Sequence, residues 1–273
     1  MPELPEVEVI RRGLAKKLVG ETIVGVSSSD KRLRRQAEPQ EMAALVNRKV
    51  TGLTRRGKYL LVHLDQGQTL LVHLGMTGRL FYQSDPCPAL PHVHLVLQLH
   101  SGHRLVYQDV RRFGQILFYP ARVTPEALAQ VGLEPWSRRL TPAWLQQKTA
   151  RLKRPVKNFL LDGRIIAGIG NIYASEALFE AGIHPQTPVG EISPEKWAAL
   201  LQAVRRILRR AIRAGGTTIA NFADCEGQSG LFAIQLKVYG RAGEPCPVCG
   251  TPIERLVMAG RSTFFCPPCQ SRW

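Results

Sequence analysis

The sequence predicts an α+β multidomain protein: an N-terminal antiparallel β-sandwich or barrel with flanking helices, then a helical domain that ends in a metal-bound β-hairpin. Three observations carry this. At 273 residues the chain is longer than a usual single domain of roughly 100–150, so two domains are expected. Short β-rich runs fill it up to about residue 120 and helical periodicity replaces them afterwards. Finally, two Cys-x-x-Cys pairs, Cys246/Cys249 and Cys266/Cys269, stand 16 residues apart near the C-terminus.

Leu4, Val7, Leu14 and Leu18 recur on one helical face, with Arg11, Arg12, Lys16 and Lys17 largely off it, which predicts a first helix over 4–18. Strands are expected near 22–28, 58–64, 69–74, 78–83, 93–99, 104–108 and 115–119, separated by turns such as Ser101-Gly102-His103 at hairpin spacing. Helices are expected near 125–131, 142–149, 155–161, 172–181 and 194–213. Between them, Gly168-Ile169-Gly170-Asn171 fits neither nucleotide-binding fingerprint and reads either as a packing turn or as a helix N-terminus that holds one phosphate. The glycine-rich stretch 215–235 reads as a flexible loop. The domains expected are 1–120, a linker over 121–135, a helical domain over 136–235 and the metal hairpin over 236–273.

Lysine and arginine number 37 against 21 aspartate and glutamate, a net +16. The excess runs through folded-looking sequence, at 32–35, 55–58, 151–157 and 205–213, which favours a polyanion partner over a basic tail. No apolar run approaches the ~20 residues of a membrane span and no secretory leader is visible, so a cytoplasmic protein without membrane attachment is expected. In that compartment two Cys-x-x-Cys knuckles bring four thiolates round one tetrahedral zinc ion, Zn2+, with no vacant position, hence a structural site. Cys87 and Cys225 read as ordinary thiols.

The opening MPELPEVEV raises a chemical possibility. With Met1 removed, Pro2 presents a secondary amine, and an α-amine titrates near 7.7–8.0 against ~10.4 for lysine, so much more of it is unprotonated at neutrality. Its attack on a sugar C1′ gives an iminium that keeps its charge, an electron sink able to acidify C2′ and drive elimination of the 3′ phosphate. Glu3 and Glu6, three apart on a helix, can move protons around that centre. The competing reading is that proline and acids are what helix N-termini prefer.

These residues, with RRGKYLL (55–61), HLGMTGRL (73–80), DVRRFG (109–114), GIGNIYASEALF (168–179), VYGRAGEPCPVCG (238–250) and RSTFFCPPCQ (261–270), make the chain resemble the formamidopyrimidine-DNA glycosylase family along its whole length. The resemblance implies a helix-two-turns-helix domain, a zinc finger, and a monomeric bacterial enzyme of the cytosol and nucleoid. It would excise oxidised purines such as 8-oxoguanine from damaged double-stranded DNA and nick the backbone by β,δ-elimination. It makes Pro2 the Schiff-base nucleophile, Glu3 the proton donor at the sugar and Glu6 a support of the proton shuttle. Lys58 is matched to β-elimination and Arg261 to phosphate binding and δ-elimination, though both also read as plain phosphate clamps. Met76, Arg111 and Phe113 match the residues that fill the space of a flipped nucleotide, or else belong to a core. Lys157 and Asn171, and more weakly Lys153 and His92, match phosphate contacts; the zinc ligands are Cys246, Cys249, Cys266 and Cys269. Val110 departs from the proline often found there, and 217–235, the lesion-reading region, matches loosely. Two rivals stand beside this reading: an endonuclease VIII-like enzyme for oxidised pyrimidines, and a non-catalytic zinc-ribbon DNA-binding protein that gives Pro2 no task.

Overall fold

The computed structural model describes residues 2–84, 90–217 and 235–271. Cys87, Cys225 and most of the 215–235 stretch lie outside them. The chain divides into two units. The first takes in Met1–Ala129 and Ile212–Ala233, the second Gln130–Ala211 and Ile234–Trp273.

In the first unit, α1 (Leu4–Leu18) buries the stripe Leu4, Val7, Ile10, Leu14 and Leu18. Pro5 is tolerated because an N–H in the first turn has no intrahelical acceptor. Glu6 faces the positive end of the helix dipole while Lys16 and Lys17 face the negative end. Among the described residues nine strands follow: β1 (Ile23–Ser28), β2 (Arg35–Gln36), β3 (Val50–Arg56), β4 (Tyr59–Leu64), β5 (Thr69–His73), β6 (Arg79–Ser84), β7 (Val93–Leu99), β8 (His103–Gln108) and β9 (Gln115–Tyr119). The short helix α2 (Pro39–Ala43) stands between β2 and β3, and α3 (Glu126–Ala129) follows β9.

The strands form two sheets, ordered β1-β7-β8-β6 and β2-β9-β5-β4-β3. Leu80, Leu95, Leu97 and Leu105 from the first sheet share one apolar core with Leu60, Val62, Leu70, Val72 and Ile116 from the second, and Val7, Ile10, Leu14 and Leu18 of α1 join them. This is the two-layer sandwich that the alternating pattern predicts. Two features differ from the expectation. Strands β2 and β3 and helix α2 are additional: β2 and α2 are too short for a period to show, and in β3 a register shift between Val50 and Gly52 puts the buried residues Val50 and Leu53 three apart and breaks the period of two. The pairing of β2 with β9 is parallel, since no hairpin joins them.

The second unit carries α4 (Pro142–Thr149), α5 (Val156–Leu160), α6 (Asn171–Glu180) and, up to Ala211, α7 (Pro194–Arg213). Thr141 caps α4, its Oγ1 accepting the Trp144 N–H at 3.1 Å. One face of α7 buries Trp197, Leu200, Leu201, Val204, Ile207 and Leu208. From its other residues, Arg205 donates to the carbonyl oxygens of Pro135 (2.8 Å) and Leu140 (2.9 Å).

A two-stranded hairpin, β10 (Glu254–Met258) and β11 (Arg261–Phe265), completes the unit. Its two turn residues, Ala259 (φ 48°) and Gly260 (φ 70°), both lie in the left-handed region, the signature of the tightest hairpin turn. Met258 consequently pairs with Arg261, which stands directly after the turn. Phe179 of α6 packs with Val238, Ile253, Phe264, Cys246 and Cys266, so the hairpin rests on the helix.

Candidate active site and nucleic-acid-binding residues

Pro2, Glu3 and Glu6 come together at the head of α1, and all three are buried. Glu6 Oε2 accepts the Glu3 N–H at 2.8 Å, the Glu6 half of a capping box. Its other oxygen, Oε1, accepts both the N–H and the hydroxyl of Thr217, each at 3.0 Å. The Glu6 carboxylate therefore pins the peptide that follows Pro2, and its acceptor sites are taken up by fixed donors. This geometry suits a positioning group better than a group that exchanges protons.

The third acid of the opening run has a separate task. Glu8 receives Arg11 through Nε (3.0 Å) and Nη2 (2.9 Å), Arg12 Nε (2.7 Å) and Arg55 Nε (3.3 Å). Burial works to raise its pKa, but the hydrogen bonds from Arg11 and Arg12 and the charges of Arg11 and Arg55 outweigh it and hold the carboxyl down at about 2. Arg55 also donates to the Gly57 carbonyl at 2.9 Å. Gly57 (φ 57°) supplies the positive φ of the two-residue β3–β4 turn, and its partner in that turn is Lys58. Glu8 thus ties α1 to the hairpin whose tip carries the candidate lysine.

Met76, Arg111 and Phe113 are all exposed, on two loops that touch. A Cβ on Gly75 would lie only 2.5 Å from the Phe113 carbonyl carbon, so the backbones meet with no room for a side chain. The Arg111 guanidinium sits over the Phe113 ring, 4.8 Å from its centroid. Exposure of a methionine and a phenylalanine beside an arginine removes the core reading of both. His92 is exposed and its carbonyl accepts the Asp109 N–H at 3.0 Å, whereas the His94 ring is buried between the carbonyl oxygens of Lys31 and Asp109. Sequence reasoning missed His73, at the end of β5. Burial, then the charges of Lys58 and Arg34, hold its pKa down at about 4, so it is neutral at pH 7. Its Nδ1 accepts the Gly75 N–H at 3.1 Å, which leaves Nε2 to carry the ring proton.

In the second unit Lys153 and Arg261 are exposed, while Lys157 is fully buried. Lys157 Nζ donates to the carbonyl of Asn171 (3.2 Å), the first residue of α6, and to Ser175 Oγ (2.5 Å) one turn on. Asn171 Nδ2 donates to the Ser262 carbonyl at 2.8 Å, one residue from Arg261. A helix residue the sequence reading passed over, Glu176, is buried and accepts the N–H groups of Lys237 (3.0 Å), Val238 (2.9 Å) and Tyr239 (2.9 Å), fixing the strand of chain that leads into the cysteine hairpin.

The four cysteine sulfurs lie within 4.8 Å of one another, with Cys246–Cys269 at 3.9 Å and Cys249–Cys266 at 3.4 Å. Thiolates about 2.3 Å from a tetrahedral zinc would stand about 3.8 Å apart, so the donor set and its spacing fit one structural Zn2+. Gln270 fixes the second knuckle: its Oε1 accepts the Cys266 N–H at 2.9 Å and its Nε2 donates to the Ile183 carbonyl at 2.8 Å.

Three family models match the chain. Residues 1–116 match the formamidopyrimidine-DNA glycosylase N-terminal domain, 131–223 the H2TH domain of that enzyme, and 243–272 a zinc finger found in FPG and IleRS. The formamidopyrimidine-DNA glycosylase of Chloroflexus aggregans is 45% identical over 271 residues, covering 99% of this chain and 98% of the relative. That of Sodalis glossinidius is 43% identical, with 99% and 100% covered. Among solved structures, MutM in complex with DNA containing carbocyclic 8-oxo-G superposes with a TM-score of 0.92 at 34% identity, covering 99% of this chain and 100% of that one. The wild-type Lactococcus lactis Fpg, in complex with DNA containing a benzyl-Fapy-dG, gives 0.92 at 33% identity, also over 99% and 100%.

Proposed function

Because the chain belongs to the formamidopyrimidine-DNA glycosylase family, we propose that it removes oxidised purines, 8-oxoguanine and formamidopyrimidines, from duplex DNA and then cleaves the abasic strand. The observation that carries the reading is the head of α1, where Glu6 holds the Glu3 N–H at 2.8 Å and so fixes the direction in which Pro2 presents its amine.

The Pro2 nitrogen attacks C1′ and the N-glycosidic bond breaks. The departing base takes up a proton, the amine gives up its own, and the opened sugar remains attached to Pro2 as an iminium. Glu3 is the group beside Pro2 able to protonate the sugar ring oxygen as it opens. The iminium draws electrons from C2′; loss of a C2′ proton breaks the C3′–O bond, and a second elimination releases the 5′ phosphate. Hydrolysis of the iminium then returns Pro2. Glu6 acts through Glu3 and Thr217 as a positioning residue. Lys58, at the hairpin tip, and Arg261, at the zinc-finger tip, would each meet phosphate oxygens. Lys153, Asn171 and His92 complete the grip on the backbone, the buried Lys157 braces Asn171 from within the fold, and Met76, Arg111 and Phe113 enter the stack at the lesion.

Residues 1–120 would do the chemistry, and 136–235 with the zinc finger, 236–273, would hold the duplex. The zinc ion, when bound, holds its four thiolates and with them the hairpin that carries Arg261; it has no part in bond making. No described helix is long and apolar enough to cross a membrane. The enzyme acts as a monomer, in the cytosol and nucleoid.

The test is reductive trapping. Borohydride added during turnover on an 8-oxoguanine duplex should leave a DNA adduct on the N-terminal peptide. An adduct on Lys58, or none, overturns the mechanism, and preference for a thymine-glycol duplex overturns the substrate class.

A further inference from the structure

The loops that carry Met76 and Arg111–Phe113 are joined by a buried carboxylate that the mechanism above does not use. Asp109 is fully buried between β8 and the second loop. Three donors among the described residues converge on it. Thr77 Oγ1 donates to Oδ1 at 2.5 Å, the Gly114 N–H to Oδ2 at 2.8 Å and the Tyr107 hydroxyl to Oδ2 at 3.3 Å. Burial, then the charge of Asp109, pushes the Tyr107 phenol far above its ordinary range, so it stays a donor. Thr77 in turn accepts the Arg111 N–H at 3.0 Å. One hydroxyl therefore bridges the residue after Met76 to the backbone of Arg111, and one carboxylate holds both ends of the 109–114 loop.

The surroundings leave this arrangement no slack. A Cβ on Gly114 would fall on the Tyr107 hydroxyl, and one on Gly75 would meet the Phe113 backbone. Arg112, between Arg111 and Phe113, is held at φ 56°, a conformation costly for a residue with a side chain. Such strain persists only where neighbours over-determine the backbone, and here the bonds to Thr77 and Asp109 do so.

We propose that Asp109, acting through Thr77, is the positioning residue that makes the Met76 loop and the Arg111–Phe113 loop a single rigid wedge. The carboxylate touches no reacting atom. Its effect falls on the step at which a stacked lesion is forced out of the helix, because a wedge on two independent loops would yield instead of prising the stack apart. This role rests on the proposed glycosylase activity and on those three side chains entering DNA.

The experiment compares Thr77→Val with Thr77→Ser. Valine keeps the shape of threonine but can neither donate to Asp109 nor accept from Arg111; serine retains both bonds. Single-turnover excision of 8-oxoguanine paired with cytosine should fall about tenfold in Thr77→Val, the equivalent of one charge-assisted hydrogen bond. On a duplex with an abasic site, which has no base to unstack, the loss should be several-fold smaller. A 2-aminopurine placed beside the lesion should brighten correspondingly more slowly, and Thr77→Ser should restore all three readouts. Equal losses on the paired and abasic substrates, no loss, or a serine variant as poor as valine would overturn the proposal while leaving the glycosylase reading intact. A wild-type protein unable to excise 8-oxoguanine would remove that reading and this one together.

Discussion

Replacing Glu8 with glutamine tests how much of the first unit depends on one buried carboxylate. A carboxyl held at about 2 instead of 4.5 is worth about 3 kcal/mol of folding free energy at neutral pH. Arg12 is 58% exposed and its share is screened by solvent, which brings the expected loss in Glu8→Gln to about 2–3 kcal/mol. Because the folded-state pKa lies below the unfolded one, this stabilisation is complete above about pH 4.5 and is lost as the pH falls toward 2. The stability gap between wild type and Glu8→Gln should therefore hold from pH 7 to 5, shrink to about 1 kcal/mol at pH 3 and nearly close at pH 2. Urea unfolding read by far-ultraviolet circular dichroism measures it, since the described tryptophans, Trp136, Trp144 and Trp197, all lie in the second unit. A gap independent of pH over this range would show that packing of the side chain, not its charge, ties α1 to β3. The variant should also slow strand cleavage more than base release, because Arg55 loses its anchor and with it the hold on the Gly57 carbonyl behind Lys58.

The zinc finger gives a second prediction: elemental analysis should find about one zinc per chain, and Cys249→Ser should lose both the metal and DNA binding. Stoichiometric zinc in a variant lacking all four cysteines would refute the assignment. The exposed Arg261 gives a third. Arg261→Ala should weaken binding to damaged and undamaged duplex alike and lower the slope of log K against log salt by about 0.9, one phosphate contact, in a fluorescence-anisotropy titration. An unchanged slope would show that Arg261 does not reach a phosphate in the complex.

Sequence and structure agree most closely where the information is local. The α1 stripe recurs with the helix period, and each cysteine pair needs only a four-residue knuckle, so both are legible from the chain alone. Strand β3 is not, because a bulge at Gly52 breaks the alternation that a period-two pattern requires. The site is half legible for the same reason. Pro2, Glu3 and Glu6 stand out by adjacency, but Glu6 meets Thr217 across 211 positions, Glu8 meets Arg55 across 47 and Thr77 meets Asp109 across 32. No spacing rule reaches that far. Three acids that look alike in MPELPEVEV are sorted into a group beside Pro2, a clamp and an ion-pair hub only by partners far along the chain.

Lys157 shows where this sorting changes the meaning of an experiment. A lysine in a basic run reads as a phosphate clamp, and removing a clamp abolishes nothing beyond its own bond to the phosphate. Here the ammonium is buried and bonded to Asn171 and Ser175, and Asn171 is bonded to Ser262 beside Arg261. A charge with its stem buried and its head tied to a carbonyl and a hydroxyl acts as a brace as well as a cation. The chain of bonds runs from α5 through the first turn of α6 to the hairpin tip, so Lys157→Ala would loosen Asn171 and the Arg261 hairpin together. Weak DNA binding by that variant would not by itself identify Lys157 as a phosphate ligand. The salt slope separates the two: removal of one phosphate ligand lowers it by about 0.9, whereas displacement of the hairpin lowers it by the contributions of every residue the brace supports.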